Sequence, residues 1–381
     1  MSNNQLLFSP FNIKKMQLSN RIVMAPMTRS MSPNNIPDDN VVNYYRRRAQ
    51  GGVGLIITEG TYISPSAGGE NFSDANRVPL IYDSKTFDGW RKVTSAVHDT
   101  GNKIFLQLWH VGSARDSNNP PKIGTPSYGP SKIQNPNSTD EQALPIAMNE
   151  KQIANTINDY STAALNAKNL GFDGIEIHAA HGYLIDQFFW SYTNHRDDVY
   201  GGDSPVKRTK FACEVIKSIR QSVGADYPIS LRFSQWKIGD YKARLFDNEK
   251  QLALFLEALV DAGVDIFHCS TRDFNKPEFS DSNLGLAGWT KKLTGKPTIA
   301  VGSVGIHADF IDGYIGNFKK GTFNKLEKDI DLLNQRLENN EFDLIALGRA
   351  LIAEPEWANK IKSMALSDIT LFQQDMINSL F

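Results

Sequence analysis

Gly174-Ile175-Glu176-Ile177-His178-Ala179-Ala180-His181-Gly182-Tyr183 is the stretch whose reading decides the fold. It opens as a short apolar run, Ile175 and Ile177 flanking Glu176, which reads as a buried strand entered through a glycine. Two histidines three residues apart follow, then Tyr183. Upstream, Asn149 to Leu170 reads as a helix, with Ile153, Ile157, Tyr160, Ala164 and Leu165 at helical spacing, and Gly171 stops it. The order is helix, strand, then a polar cluster at the strand's carboxyl end. In a parallel barrel that end carries the chemistry, because the loops there converge on one mouth.

Seven more such units can be read around this one. The first strand is read over Arg21–Thr28, with Pro26 marking its exit because proline lacks a donor. The second is Gly54–Gly60, the third Lys103–His110, the fifth Ile229–Phe233, the sixth Val264–Ser270, the seventh Thr298–Gly302 and the eighth Asp343–Gly348. Helices are expected near Asp38–Tyr45, Lys85–Thr100 and Asp247–Ala262, and from Pro205 with Ser204 as its cap. Tyr62–Pro79 and Gly112–Pro145, rich in Ser, Gly, Asn and Pro, read as loops. The Asn/Lys/Glu-rich excursion Asn317–Glu341 reads as a solvated helix or loop without chemistry. Eight strands alternating with helices argue for a single (β/α)8 TIM barrel, an α/β fold, rather than an open doubly wound sheet.

Composition sets bounds on function. A chain of 381 residues with 40% apolar residues has ample material for a core. A net charge of −1 gives no electrostatic case for nucleic acid or an anionic membrane. Two cysteines, Cys213 and Cys269, are too few for a disulfide framework. Nothing at the N-terminus reads as a signal peptide, and no apolar run approaches the roughly 20 residues of a membrane span. The expectation is a soluble cytoplasmic protein, monomer or homo-oligomer, acting on a small molecule.

The strand ends carry the candidate chemistry. Gly302-Ser303-Val304-Gly305 and Gly348-Arg349 follow strands seven and eight, where barrels commonly hold a phosphate on backbone N–H groups. Either loop alone is explained as well by chain turning; the two together, with an arginine, favour phosphate. His178 and His181 with Tyr183 suggest donors aimed at a substrate oxygen beside a proton source. A rival reading is a metal-dependent barrel hydrolase with His110, His178, His181 and His268 as ligands. Thr28, Gln107 and Arg232 stand at or near strand ends. A guanidinium at an apolar mouth needs an electron-rich partner, either a ligand or an internal carboxylate such as Glu59 or Glu176. Phosphate at one side and amide, hydroxyl and guanidinium donors around it suit a flat, heteroatom-rich cofactor such as flavin mononucleotide.

Four segments then carry a specific resemblance: Met24-Ala25-Pro26-Met27-Thr28-Arg29, Gln107-Leu108-Trp109-His110-Val111-Gly112, His178 to Leu184, and Asn194-His195-Arg196-Asp197-Asp198-Val199-Tyr200-Gly201-Gly202. Together, in order over Phe8–Ile361, they resemble the old yellow enzyme family of FMN-dependent NAD(P)H oxidoreductases. The resemblance implies one FMN-binding domain over residues 1–381, reduced by NADH or NADPH. It implies Pro26, Met27 and Thr28 along the flavin, Gly60 and Gln107 on its ring, Arg232 near N1 and the C2 carbonyl, and Gly302, Ser303, Gly348 and Arg349 at the phosphate. It implies His178 and His181 on the carbonyl of an α,β-unsaturated substrate, with nitro compounds and nitrate esters as further candidates. Tyr183 would protonate the α carbon while hydride from the flavin adds at the β carbon, and Tyr62 and Trp109 would line the pocket. No metal is implied. Gly302–Gly305 and Ser234-Gln235-Trp236-Lys237 depart from the family's usual wording.

Overall fold

A computed structural model describes residues 6–70, 74–138, 144–306 and 323–381. Eight parallel strands close into a barrel: β1 (Ile22–Met24), β2 (Leu55–Tyr62), β3 (Lys103–Trp109), β4 (Gly174–His181), β5 (Ile229–Lys237), β6 (Ile266–Ser270), β7 (Thr298–Val301) and β8 (Leu344–Leu347). Each pairs with its sequence neighbours, and β8 pairs with β1. β1 is shorter than expected. Ala25 N still donates to Leu347 O, and Pro26 then takes the chain out of the sheet.

Side chains alternate between two cores, as a period of two requires. Val23, Leu55, Ile57, Phe105, Ile266, Ile299, Leu344 and Ala346 fill the lower barrel interior. Ile22, Met24, Ile56, Ile104, Leu106, Ile175 and Ile177 point outward and pack beneath the helices. Gly174 makes room for Phe105, since a Cβ there would lie 2.5 Å from its ring. The bottom is closed by an antiparallel hairpin, Phe11–Ile13 with Met16–Leu18, whose Ile13 and Leu18 join the inner cluster.

The helices follow capping chemistry. Asp38 accepts from the Asn40 and Val41 amides to start Asp39–Gln50, and Asn149 and Gln152 form a reciprocal cap on Glu150–Asn169. Asn248 caps Glu249–Ala262. Three expectations need correction. The helix expected from Pro205 begins instead with a tight turn at Lys207–Thr209, continuing as Lys210–Val223. The buried Arg208 guanidinium, donating to Phe189 O and Gly202 O, ties that turn inward. The helix Leu286–Thr294, between β6 and β7, was not expected; it ends at Gly295 with φ 65°. Residues 317–322 lie outside the described residues, but Phe323–Glu338 is a helix that buries Leu326, Ile330, Leu333 and Leu337. It belongs to the barrel wall, not to solvent, and the charged residues between those leucines had hidden the stripe. No helix among the described residues is long and apolar enough to cross a membrane.

Candidate active site

Above the apolar layer, the inward positions turn polar on four adjacent strands. Two residues up from Phe105, Gly174 and Ile266 stand Gln107, Glu176 and His268, and Ser230 and Arg232 come from β5. Glu176 joins the others: Gln107 Nε2 donates to its Oε1 at 2.9 Å, Ser230 Oγ to its Oε2 at 3.0 Å, and His268 Nδ1 lies 2.8 Å from Oε2. Only inward-pointing side chains let His268 on β6 reach β4 past β5. Burial works to raise the Glu176 pKa, but charge and hydrogen bonds from His268, Arg232 and Gln107 outweigh it and hold the carboxyl below its ordinary value. Arg232 donates to Ser270 Oγ at 3.2 Å, while its Nε is buried without a partner. Of the two carboxylates considered for Arg232, Glu59 instead receives the backbone amides of Arg29 and Ser30, and burial raises its pKa to about 7. Glu176 supplies the countercharge.

The end of β4 and the turn after it carry His178, His181 and Tyr183. His181 has φ 66°, a left-handed conformation uncommon for a side-chain-bearing residue. Its neighbours hold it there. The His181 amide donates to Ser234 Oγ at 3.0 Å, and its carbonyl accepts from Ile238 N at 3.2 Å. The Gly182 amide donates to Asp186 Oδ2 at 2.7 Å, and its carbonyl accepts from Asn135 Nδ2 and Gln187 Nε2. Asp186 is paired with Lys237 Nζ at 2.8 Å, both side chains at 0% exposure, and Lys237 also donates to Ser234 O.

Flat rings wall this turn. Trp109 stacks against Tyr62 at 5.4 Å and His178 at 6.2 Å, and Tyr183 meets Trp109 and His178 edge-on, both at 5.0 Å. Trp236 stacks on His181 at 4.4 Å, with Tyr241 beyond it. Tyr62 is buried against Trp109, its hydroxyl donating to Glu70 at 2.6 Å. The His178 Nδ1 accepts the Ala180 amide at 3.4 Å, which leaves the neutral ring's proton on Nε2. His181 Nε2 lies 2.8 Å from Ser270 Oγ. Burial, then the Arg232 charge, push both imidazoles well below their ordinary pKa; burial, then Glu70, push the Tyr183 phenol well above its own. The Tyr183 hydroxyl interacts with the Asn137 amide, though no atom of that amide reaches full hydrogen-bond geometry. The imidazoles are therefore neutral, and the phenol protonated, from below about pH 6.5 to above about pH 10. An NMR titration should accordingly find neither imidazole taking up a proton between about pH 6.5 and 8.5; a His178 or His181 resonance that titrates within that range would overturn this reading.

The remaining candidates lie across the mouth. Pro26, Met27 and the exposed Thr28 follow β1, Gly348 and Arg349 follow β8, and Gly302 and Ser303 follow β7, so the three exits are side by side. A Cβ on Gly348 would touch Met27 Sδ at 3.4 Å. Gly302 (φ 147°) is also required by packing, since a Cβ there would lie 2.7 Å from Asp273 N. Gly60 sits at an irregularity in the β2–β3 register, with the Trp109 ring over its Cα. The four histidines of the metal reading do not gather. His110 accepts the Gly112 amide, His268 is held by Glu176, and no three His, Cys, Asp or Glu side chains among the described residues form a metal cluster. Sequence reasoning missed Ser230, Ser270, Lys237 and Asp186 as parts of the site, offered Glu176 only as one of two possible partners for Arg232, and treated His268 only as a possible metal ligand. For Glu176, Ser230 and His268 the signal was available: each stands two residues from another inward position.

Residues 6–311 match the NADH:flavin oxidoreductase / NADH oxidase family. The chain is 33% identical over 373 residues to an NADH oxidase of Thermoanaerobacter brockii, covering 95% of this chain and 52% of that protein. It is 42% identical over 233 residues to a chanoclavine-I aldehyde reductase of Penicillium roqueforti, covering 60% of each. The solved structure of morphinone reductase in complex with tetrahydroNAD superposes with a TM-score of 0.77 at 28% identity, over 97% of this chain and 93% of that one. The chain spans about half the length of the NADH oxidase it matches. It belongs to this family, the old yellow enzyme group of FMN-dependent oxidoreductases. The mouth fits that cofactor. Arg232 Nε and Trp109 Nε1 are buried donors that no atom of the described residues answers, and a polar wall stands opposite three adjacent strand exits, two of which turn on glycine.

Proposed function

We propose that this chain is an NAD(P)H-dependent ene-reductase that saturates the C=C bond of α,β-unsaturated carbonyl compounds, within one FMN-binding barrel domain. The observation that carries this reading is the meeting of His178 with His181 and with Tyr183, rings 5.1 and 5.0 Å apart, over the mouth, where burial favours neutral imidazoles and a protonated phenol. Bound FMN, reduced by the nicotinamide, supplies the hydride. Pro26, Met27, Thr28, Gly60, Gln107 and Arg232 hold its ring, and Gly302, Ser303, Gly348 and Arg349 its phosphate. His178 Nε2–H and His181 donate to the substrate carbonyl oxygen, where negative charge grows as the β carbon is attacked; fixed donors at that atom act as an oxyanion site. Tyr183 gives its proton to the α carbon. Trp109 walls the pocket, with Tyr62 bracing it from behind. The morphinone reductase complex with tetrahydroNAD supports a nicotinamide reductant.

Substituting His178→Ala or His181→Ala tests the polarising role. Each should slow enone reduction by about 10–100-fold, the loss of one charge-stabilising hydrogen bond of about 1.5–3 kcal/mol, and weaken phenol binding. Flavin reduction by NADH or NADPH should change little, since nicotinamide brings no developing oxyanion. Equal losses in both half-reactions, followed by flavin absorbance, would assign the histidines to the flavin or the fold.

A further inference from the structure

Glu176 is the group in the barrel for which neither the proposed hydride step nor the proton step has a use. It is wholly buried, and it is charged. An ionised carboxylate taken from water into a protein interior is unfavourable by several kcal/mol unless partners compensate. An apolar side chain would fill the layer above Phe105 and Ile266 without that penalty. Three donors converge on the carboxylate from three strands, and two of its neighbours are the residues proposed to face the flavin ring. Gln107 is one of them: its Nε2 is committed to Glu176 Oε1, which turns the amide so that its carbonyl oxygen points away from the carboxylate. Arg232 is the other: among the described residues it makes no ion pair, and Glu176 is the carboxylate whose charge acts on it.

We propose that Glu176 is a positioning residue that sets the reduction potential of the bound flavin, by fixing the Gln107 amide and offsetting the positive charge of Arg232. The inference rests on the FMN reading above. A lone guanidinium beside the ring favours the electron-rich reduced state, and a buried carboxylate one layer below disfavours it. The pair together leaves the reduced flavin a stronger donor than Arg232 alone would. His268 holds the carboxylate ionised. Its other nitrogen, Nε2, has no partner among the described residues, so the ring can take its proton there when Nδ1 has to accept.

That freedom makes Glu176→Gln a clean test. The carboxamide keeps the shape: its oxygen, in the Oε1 position, accepts from Gln107, and its NH2, in the Oε2 position, donates to Ser230 Oγ and to His268 Nδ1 once that ring moves its proton to Nε2. Purified holoprotein equilibrated with redox dyes should show the reduced-to-oxidised flavin ratio rising about tenfold at fixed potential, a shift of about 30 mV for a two-electron couple. FMN content and urea midpoint should stay near wild type, and Glu176→Asp, which keeps the charge, should restore the wild-type ratio. An unshifted or lowered ratio in a variant that binds FMN overturns the proposal while leaving the FMN reading intact. A wild-type chain that binds no FMN overturns that reading instead. If Glu176→Gln does not hold FMN, His268→Leu carries the test. With that donor gone, and only Arg232 left as a neighbouring charge, the carboxyl gains its proton at higher pH. The flavin potential of the variant then climbs above wild type as pH falls to about 5, whereas parallel curves overturn the proposal.

Discussion

Replacing Lys237 with methionine should destabilise the protein by about 3–5 kcal/mol, read as a lowered urea midpoint at unchanged slope. The size follows from what stays behind. Lys237 and Asp186 are both fully buried at 2.8 Å, and methionine fills the lysine's volume but leaves a carboxylate with no cation near it. Asp186 still accepts from the Gly182 amide, which is too little to hold the charge. Burial already raises the Asp186 pKa against the pull of Lys237, so without the lysine it rises further. A carboxyl whose folded pKa exceeds its unfolded value of about 3.9 binds its proton better in the folded state. Stability is then lost as pH rises through that window, so the deficit should be smaller at pH 5 than at pH 8. The double variant Lys237→Met/Asp186→Leu should recover most of the stability, since no unpaired charge remains. A single variant as stable as wild type would mean that water reaches Asp186.

That pair also marks where sequence reading stopped. The eight strands were legible because each is a short apolar run beside a helix, and in β4 the run ends in a polar cluster that no core could absorb. The site candidates were legible for the same reason: Gln107 and Arg232 are polar within otherwise apolar runs, and Gly302 and Gly348 are glycines just past β7 and β8. Lys237 was not, because β5 runs four residues past the expected end at Phe233 and its last residues look like loop. Asp186 sits in a six-residue helix, Leu184–Phe189, too short to show a period. Their pairing depends on the bulge between Ala179 and His181 that lets β4 and β5 turn together, and no spacing rule encodes it. The Tyr62 phenol, expected at the pocket, is spent on Glu70 for a comparable reason: a partner eight residues away in a loop gives no periodic signal.

Tyr183→Phe should leave folding, FMN content and NAD(P)H oxidation intact while slowing enone reduction by about 10²–10⁴-fold, the range for a lost general acid. The ring survives the change, and with it the edge contacts to Trp109 and His178 that hold the turn. Only the hydroxyl goes. Its interaction with Asn137 contributes little, since that amide is not aligned as a hydrogen bond, so stability should fall by no more than about 1 kcal/mol. Burial keeps the phenol protonated far above neutral pH, so the donor is present at every turnover, yet it is too weak an acid to lose its proton before the α carbon gains basicity. Timing of that kind belongs to carbon protonation alone. A quinone takes up hydride and collects its proton on oxygen from solvent, so it has no need of Tyr183. Rapid mixing of the pre-reduced variant with cyclohexenone and, separately, with a quinone divides the two demands. A slow first trace and an unchanged second assign the proton to Tyr183. Equal slowing of both would place its role in substrate access, and slowing of neither would move the proton source elsewhere.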